Sequence, residues 1–410
     1  MTPPEPGDAA NPFQSLLGDL MGMLGSQGPD QSQMVRAFAL NVATGGQAEG
    51  NIDPLQRIQV EQLSRVAELN VMEATGMPVA PDGRRLTCVP VGRGDWTMRA
   101  LAAWQPLLDA LVAVPPTPPA APTGDGGGGP GDLGALLGQW AGIIGPMMAG
   151  LQAGSVLGHL AQRTLGQYPL PLPWPPADEL LLVTANITEF ATDWSLPAEE
   201  ALLWVCAREL AAHTVLSRPD VRARIDELAL ALAASQAAAQ QDLMGRLGAL
   251  ADGDDDALGP GMDLAALQGM LGDPEELLGQ LLTPETRRSS DKLTAVAVVV
   301  EAYADHVAGR VGDRLVGSHG QISEAWYRRR TERGKGEEAA GALFGLDLDQ
   351  HQVDRGRAFV AGVVERAGED ALARLWSPVR NLPTPAEVDA PGLWLERIDL
   401  PELDGPDDGA

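Results

Sequence analysis

Ala295 to Val300 form six consecutive apolar residues, and the run ends on a carboxylate, Glu301, inside LTAVAVVVEAYADHVAGRVGDRL. A helix that is apolar all round has to be buried on nearly all sides. A fold that buries it must also satisfy Glu301 and Asp305, which lie four residues apart on one helical face with His306 beside them. A second segment, SLPAEEALLWVCARELAAHTVL from Ser195, poses the same problem: Leu202, Cys206, Glu209, His213 and Leu216 recur at steps of three or four. They are read as one face with Glu209 in the middle of a largely apolar stripe. Burial disfavours a charged carboxylate, so Glu209 needs a cation, a metal or a hydrogen-bond donor, or it must hold a raised pKa. Two buried helices that each deliver carboxylate or imidazole groups can assemble a helical metal site.

Helix punctuation surrounds these segments. Asn11-Pro12, Asp53-Pro54, Thr283-Pro284 and Thr384-Pro385 each supply an N-cap side chain followed by a proline at the first helical position, and Thr384 with Glu387 forms a capping box. From these signals we expect helices near 12–25, 31–44, 54–75, 96–113, 133–166 with a break near Gly150, 196–216, 220–247, 285–315, 320–333, 350–367 and 385–397. Short extended pieces are expected at 85–91 and 179–184. Only 4% of residues are aromatic while 44% are hydrophobic, which favours Ala/Leu-rich helices over a large sheet. The expected fold is mostly α with at most a small β-sheet. The domain reading is an N-terminal helical region at 1–114, a Pro/Gly linker at 115–132 (PPTPPAAPTGDGGGGPGD), a helical domain at 133–400 and an acidic tail at 401–410.

A net charge of -27 repels nucleic acid and anionic membranes, so neither is expected as a partner. No apolar run approaches the roughly 18–20 residues of a membrane span. Cys88 and Cys206 are too few for a disulfide framework, and MTPPEPGDAANPF lacks the basic region of a signal peptide; a cytoplasmic protein is the expectation. The cluster Asp252, Asp254, Asp255 and Asp256 lacks the glycine and later ligands of a calcium loop and reads as a solvated loop. The basic run Arg328, Arg329, Arg330, Arg333 and Lys335 reads as a solvated helix end. Phosphate loops, dinucleotide fingerprints and serine elbows are all lacking.

Several segments together resemble one family. NPFQSLLGDLMGML, VLGHLAQRTLGQYPLPLP, ALLWVCARELAAHTV, EAYADHVAGRVGDRL, SEAWYRRR and LWSPVRNLPTPAEVDAPGLWLER are similar to the actinobacterial zincin-like metallopeptidases, commonly labelled hydrolases. The resemblance implies a helix bearing H-E-x-x-H, in which two histidines one turn apart bind zinc and the glutamate activates water. Laid onto this chain, the first histidine falls on Arg208, the glutamate on Glu209 and the second histidine on Ala212. Both ligand positions are therefore degenerate, and Glu209 stands as a vestigial general base. His213 matches a further histidine of relatives, and Glu301 the third ligand. Arginine cannot serve as a ligand, alanine has no donor atom, and His213 is turned 100° from position 212.

The expectation is that Arg208 pairs with Glu301 or Asp305 and neutralises an orphaned acidic pocket. No bound metal is expected. The functional reading is a zincin-like scaffold that binds an unknown protein or peptide or regulates it. The alternatives are an active metal-dependent hydrolase built on Glu209, His213, Glu301 and Asp305, and a structural homo- or hetero-oligomer assembled through the Gly/Ala-rich helices of 133–166.

Overall fold

The structure, a computed structural model, describes residues 31–81, 83–112, 147–251, 283–346 and 348–400, with the side chains of 31, 112 and 243–251 excepted. The expected helix at 12–25, the linker at 115–132, the aspartate cluster at 252–256 and the tail at 401–410 lie outside the described residues.

The capping signals mark where the chain turns helical. Helix α1 spans Gln31–Thr44 and α2 spans Pro54–Thr75. Asp53 accepts from the Leu55 amide at 2.9 Å, Pro54 needs no amide partner, and Gly76 closes the helix at φ 66°. Strand β1 (Thr87–Val91) follows, then α3 (Arg93–Ala103) and α4 (Gln105–Val112). The sequence had suggested one helix across 96–113. The structure breaks it at Trp104, buried against Trp96 and Trp174 with ring centroids 6.2 and 5.7 Å away, and Pro106 restarts it in the first turn.

Helix α5 occupies 147–161. Its Gly154 and Gly158 face α1 of the same chain: a Cβ on Gly158 would stand 2.8 Å from Val42, and one on Gly154 3.2 Å from Ala39. These small residues serve an intrachain helix contact. Strand β2 (Glu179–Val183) pairs parallel to β1, from Thr87 opposite Glu179 to Val91 opposite Val183. The two make a two-stranded sheet.

Helix α6 (Thr184–Asp193), which the sequence reading lacked, leads into α7 (Ala198–Leu216) and α8 (Pro219–Ala251). Helix α9 is Pro284–Leu315, capped by Thr283, whose hydroxyl accepts from the Thr286 amide. Helices α10 (His319–Thr331), α11 (Lys335–Phe344) and α12 (Gln350–Ala367) come next. Helix α11 also escaped the sequence reading, although Glu337 reaching back to the Gly334 amide is a readable start signal. The expected helix at 385–397 is two, α13 (Pro385–Asp389) and α14 (Pro391–Asp399), because Pro391 restarts the turn.

The centre of the molecule is the crossing of α7 and α9, flanked by α2, α6, α8 and α12. One hydrophobic cluster runs from Ala39 to Ile398. Every residue of α7 from Ala201 to Leu216 is buried. The stripe read from the sequence is thus one sector of a helix surrounded on all sides, and Glu209 and His213 need partners in every direction.

Candidate functional site

Arg208 and Glu209 on α7 meet Glu301 and Asp305 on α9, and α10 supplies two further groups, Trp326 and Arg330. Arg208 is 3% exposed, Glu209 2% and Glu301 5%, so the charges balance one another with little help from water. The Arg208 guanidinium spans the site. Its Nε donates to Asp305 Oδ1 at 2.9 Å, its Nη1 to Glu209 Oε1 at 3.1 Å, and its Nη2 to Glu301 Oε2. Its carbon lies 4.5 Å from the centroid of the Trp326 ring, a cation–π contact strengthened by desolvation. Trp326 Nε1 donates to Asp305 Oδ1 at 3.0 Å. Arg330 closes the other side, 2.8 Å from Asp305 Oδ2 and 3.2 Å from Glu301 Oε2.

Burial alone would lower the Arg208 pKa. The charges of Glu301, Asp305 and Glu209 outweigh that and raise it, so the guanidinium is locked in its charged form. Glu209 moves the other way. Desolvation raises its pKa, against the opposing charge of Arg208 and the hydrogen bond from the Tyr168 amide. Both oxygens of Glu209 are engaged, Oε1 by Arg208 and Oε2 by the Tyr168 N–H at 2.9 Å. These two bonds hold the carboxylate in one orientation.

His213 is turned away from this cluster, with Nδ1 2.9 Å from the Tyr168 hydroxyl. The Tyr168 phenol is itself pushed up by burial and by Glu209. His306, which the sequence placed beside Glu301 and Asp305, instead pairs through Nε2 with Glu369 at 2.9 Å. Ala212 is buried and contributes no donor atom. Among the described residues no group of three or more His, Cys, Asp or Glu side chains is placed to hold a metal ion. The set Glu209, His213, Glu301 and Asp305 is therefore not brought together as a coordination sphere: arginines stand between the acids and the imidazole faces elsewhere.

Sequence reasoning missed Tyr168, Trp326 and Arg330. Trp326 and Arg330 are four apart on α10, a same-face spacing that was available. The sequence reading instead places the whole arginine run in solvent. That reading holds for Arg328, which is exposed and pairs with Glu324 at 2.7 Å. It is wrong for Arg330, whose side chain is 14% exposed, because α10 packs against α9 along this edge.

The loop before β2 reaches the cluster through Gly166, which bridges antiparallel to Leu182. A Cβ there would fall 2.5 Å from the Glu209 carboxyl carbon. We expect Gly166→Ala to lower stability by about 1–3 kcal/mol, the usual cost of overpacking. Thermal unfolding would read it, and an unchanged melting temperature would mean that this loop does not press on Glu209.

No curated protein matches the chain. Among solved structures, a candidate hydrolase with a novel fold from Chloroflexus aurantiacus is similar over 90% of this chain and 99% of its own, with a TM-score of 0.60 and 23% identity. At that identity the likeness concerns the fold. The family model for zincin-like metallopeptidases matches residues 31–395, and the chain belongs to the zincin-like metallopeptidase family.

Proposed function

We propose that this chain is a family member whose metal centre has been converted into a buried ion cluster, and that it works as a binding or regulatory scaffold. In this reading Arg208 and Ala212 occupy the former histidine positions, Glu209 is a vestigial general base, and Glu301 is the former third ligand. The observation that carries it is the Arg208 guanidinium, which contacts Glu209, Glu301 and Asp305 together. A fixed positive charge among the acids repels a divalent ion and satisfies them without one.

The zinc that the family implies does not fit the residues present. An arginine and an alanine stand at the ligand positions, and His213 is engaged with Tyr168. The alternative, a hydrolase with a rearranged site, requires Arg208 to leave a cavity in which it makes three ion pairs. The partner is taken to be a protein or peptide, since a chain of net charge -27 repels polyanions. The two cysteines are free and buried, the Cys88 thiol being pushed up to about 12 by burial. A buried thiol of raised pKa is unreactive, so neither cysteine is a candidate nucleophile.

The test is elemental analysis of untagged protein after dialysis, expected to give far less than one zinc per chain. About one zinc per chain, lost on Glu209→Ala or Glu301→Ala, would establish the rearranged centre instead.

A further inference from the structure

Beside the Arg208 cluster lies a cavity of about 70 Å³, several times the roughly 10–15 Å³ that one water needs. Its lining is electrostatically unusual for so acidic a chain. Five arginines, Arg163, Arg208, Arg329, Arg330 and Arg333, face three glutamates, Glu209, Glu301 and Glu337. Arg208 and Arg330 are committed to the buried acids. Arg163 pairs with Glu337 at 3.1 Å.

Arg329 has no such partner: among the described residues it makes no ion pair with a carboxylate. Its guanidinium donates to the backbone carbonyl of Arg163, and Arg163 donates back to the carbonyl of Arg329 at 3.1 Å. The two side chains thus fix each other. Arg329 also lies 5.6 Å from the Phe190 ring centroid and 6.0 Å from that of Trp326. Burial, and then the charge of Arg163, lower its pKa to about 10 against the weaker opposing pull of Glu337, Asp193 and Glu189, as expected for a desolvated cation with no carboxylate in direct contact. The remaining wall is largely apolar, with Leu160, Leu165, Leu170 and Leu348 beside Tyr168 and Trp326.

We propose that this cleft binds a carboxylate carrying a short aliphatic body, with Arg329 as the principal cation and the leucine wall receiving the body. A carboxylate matches the planar fork of a guanidinium, and a cavity of this size holds a few carbons beside it. The inference rests on the scaffold reading, because it takes the Arg208 cluster as permanently closed and leaves the cleft beside it as the recognition surface. The occupant would be a branched-chain acid or the C-terminal residue of an aliphatic peptide.

Isothermal titration of the full-length chain in low-chloride buffer tests it, with isovalerate as the probe. Isoamyl alcohol keeps the body without the charge, acetate keeps the charge without the body, and inorganic phosphate is an oxyanion without carbons. Saturable one-site binding of isovalerate is expected, at least fivefold tighter than acetate or phosphate, with no binding of isoamyl alcohol. Arg329→Gln should weaken it tenfold or more and Arg329→Lys by less. If Arg329→Gln does not fold, Arg329→Lys and the ligand series on the unaltered chain decide the matter. Absence of saturable binding, equal binding of isoamyl alcohol, tighter binding of phosphate, or full affinity in Arg329→Gln would each overturn the proposal. Zinc analysis of the same preparation separates the two failures. Stoichiometric zinc removes the scaffold reading, whereas zinc-free protein that ignores isovalerate removes this inference alone.

Discussion

Replacing Arg208 by methionine is expected to destabilise the protein by about 3–5 kcal/mol, the cost of stripping one partner from a buried ion network. Methionine keeps helix propensity and much of the volume, so the loss reports charge rather than packing. It should fall toward the lower end of that range. Arg330 still reaches Asp305 at 2.8 Å and Glu301 at 3.2 Å, while Glu209 retains only the Tyr168 amide. The pH dependence has a definite sign. Glu209 already has its pKa raised by burial, and removal of Arg208 takes away the charge that opposes this shift. An acid whose folded pKa lies above its unfolded value costs no stability when both states are protonated. The penalty then grows as pH rises through the unfolded pKa toward the folded one. The deficit of Arg208→Met relative to the parent should therefore be larger at pH 8 than at pH 5. Adding Glu209→Gln, which keeps an acceptor for the Tyr168 amide, should recover a substantial part of it. Chemical denaturation at the two pH values measures all of this. A deficit below about 1 kcal/mol at pH 8 would mean that water reaches the cluster and screens it.

The parts of the site that could be read from the sequence are those fixed by local spacing. Asp53-Pro54, Thr283-Pro284 and the Thr384/Glu387 box fix their own helix starts, because a cap and a missing amide act within one turn. The apolar run before Glu301 announced burial, and the mismatch of Arg208 with a ligand position suggested its pairing with Glu301 or Asp305. What escaped depends on distant packing. Tyr168 meets Glu209 across 41 positions of sequence, and no local pattern says which amide a buried carboxylate will find. Arg330 and Arg328 are two apart in one basic run, yet one enters the core and the other pairs at the surface. Only the direction of α10 against α9 separates them. Similarly, 196–216 looks like a striped helix until α2, α6 and α9 close around it.

The second large effect is gain of zinc binding on repair, and it depends on a specific feature of the cluster. Arg208 reaches Glu301 from α7, and position 212 lies one turn further along the same helical face. Arg208→His with Ala212→His would place two imidazoles four residues apart on that face, with Cβ atoms roughly 5–6 Å apart, beside Glu301 as a third ligand. The change also deletes the guanidinium that repels a cation, and it frees Glu209 Oε1, whose partner within the cluster is Arg208. Zinc is expected to bind the double variant with a Kd at least a hundredfold below that of the parent chain. Arg208→His alone should bind more weakly, since one imidazole and one carboxylate leave the coordination sphere short. Arg330 sets the main obstacle, because it already holds Glu301 at 3.2 Å. Adding Arg330→Gln to the double variant should therefore strengthen binding further. Calorimetric titration of folded proteins ranks the series. If the double variant folds and still binds zinc no better than the parent, even with Arg330→Gln, then positions 208 and 212 are not the former ligand positions and the family motif has been laid on the wrong residues.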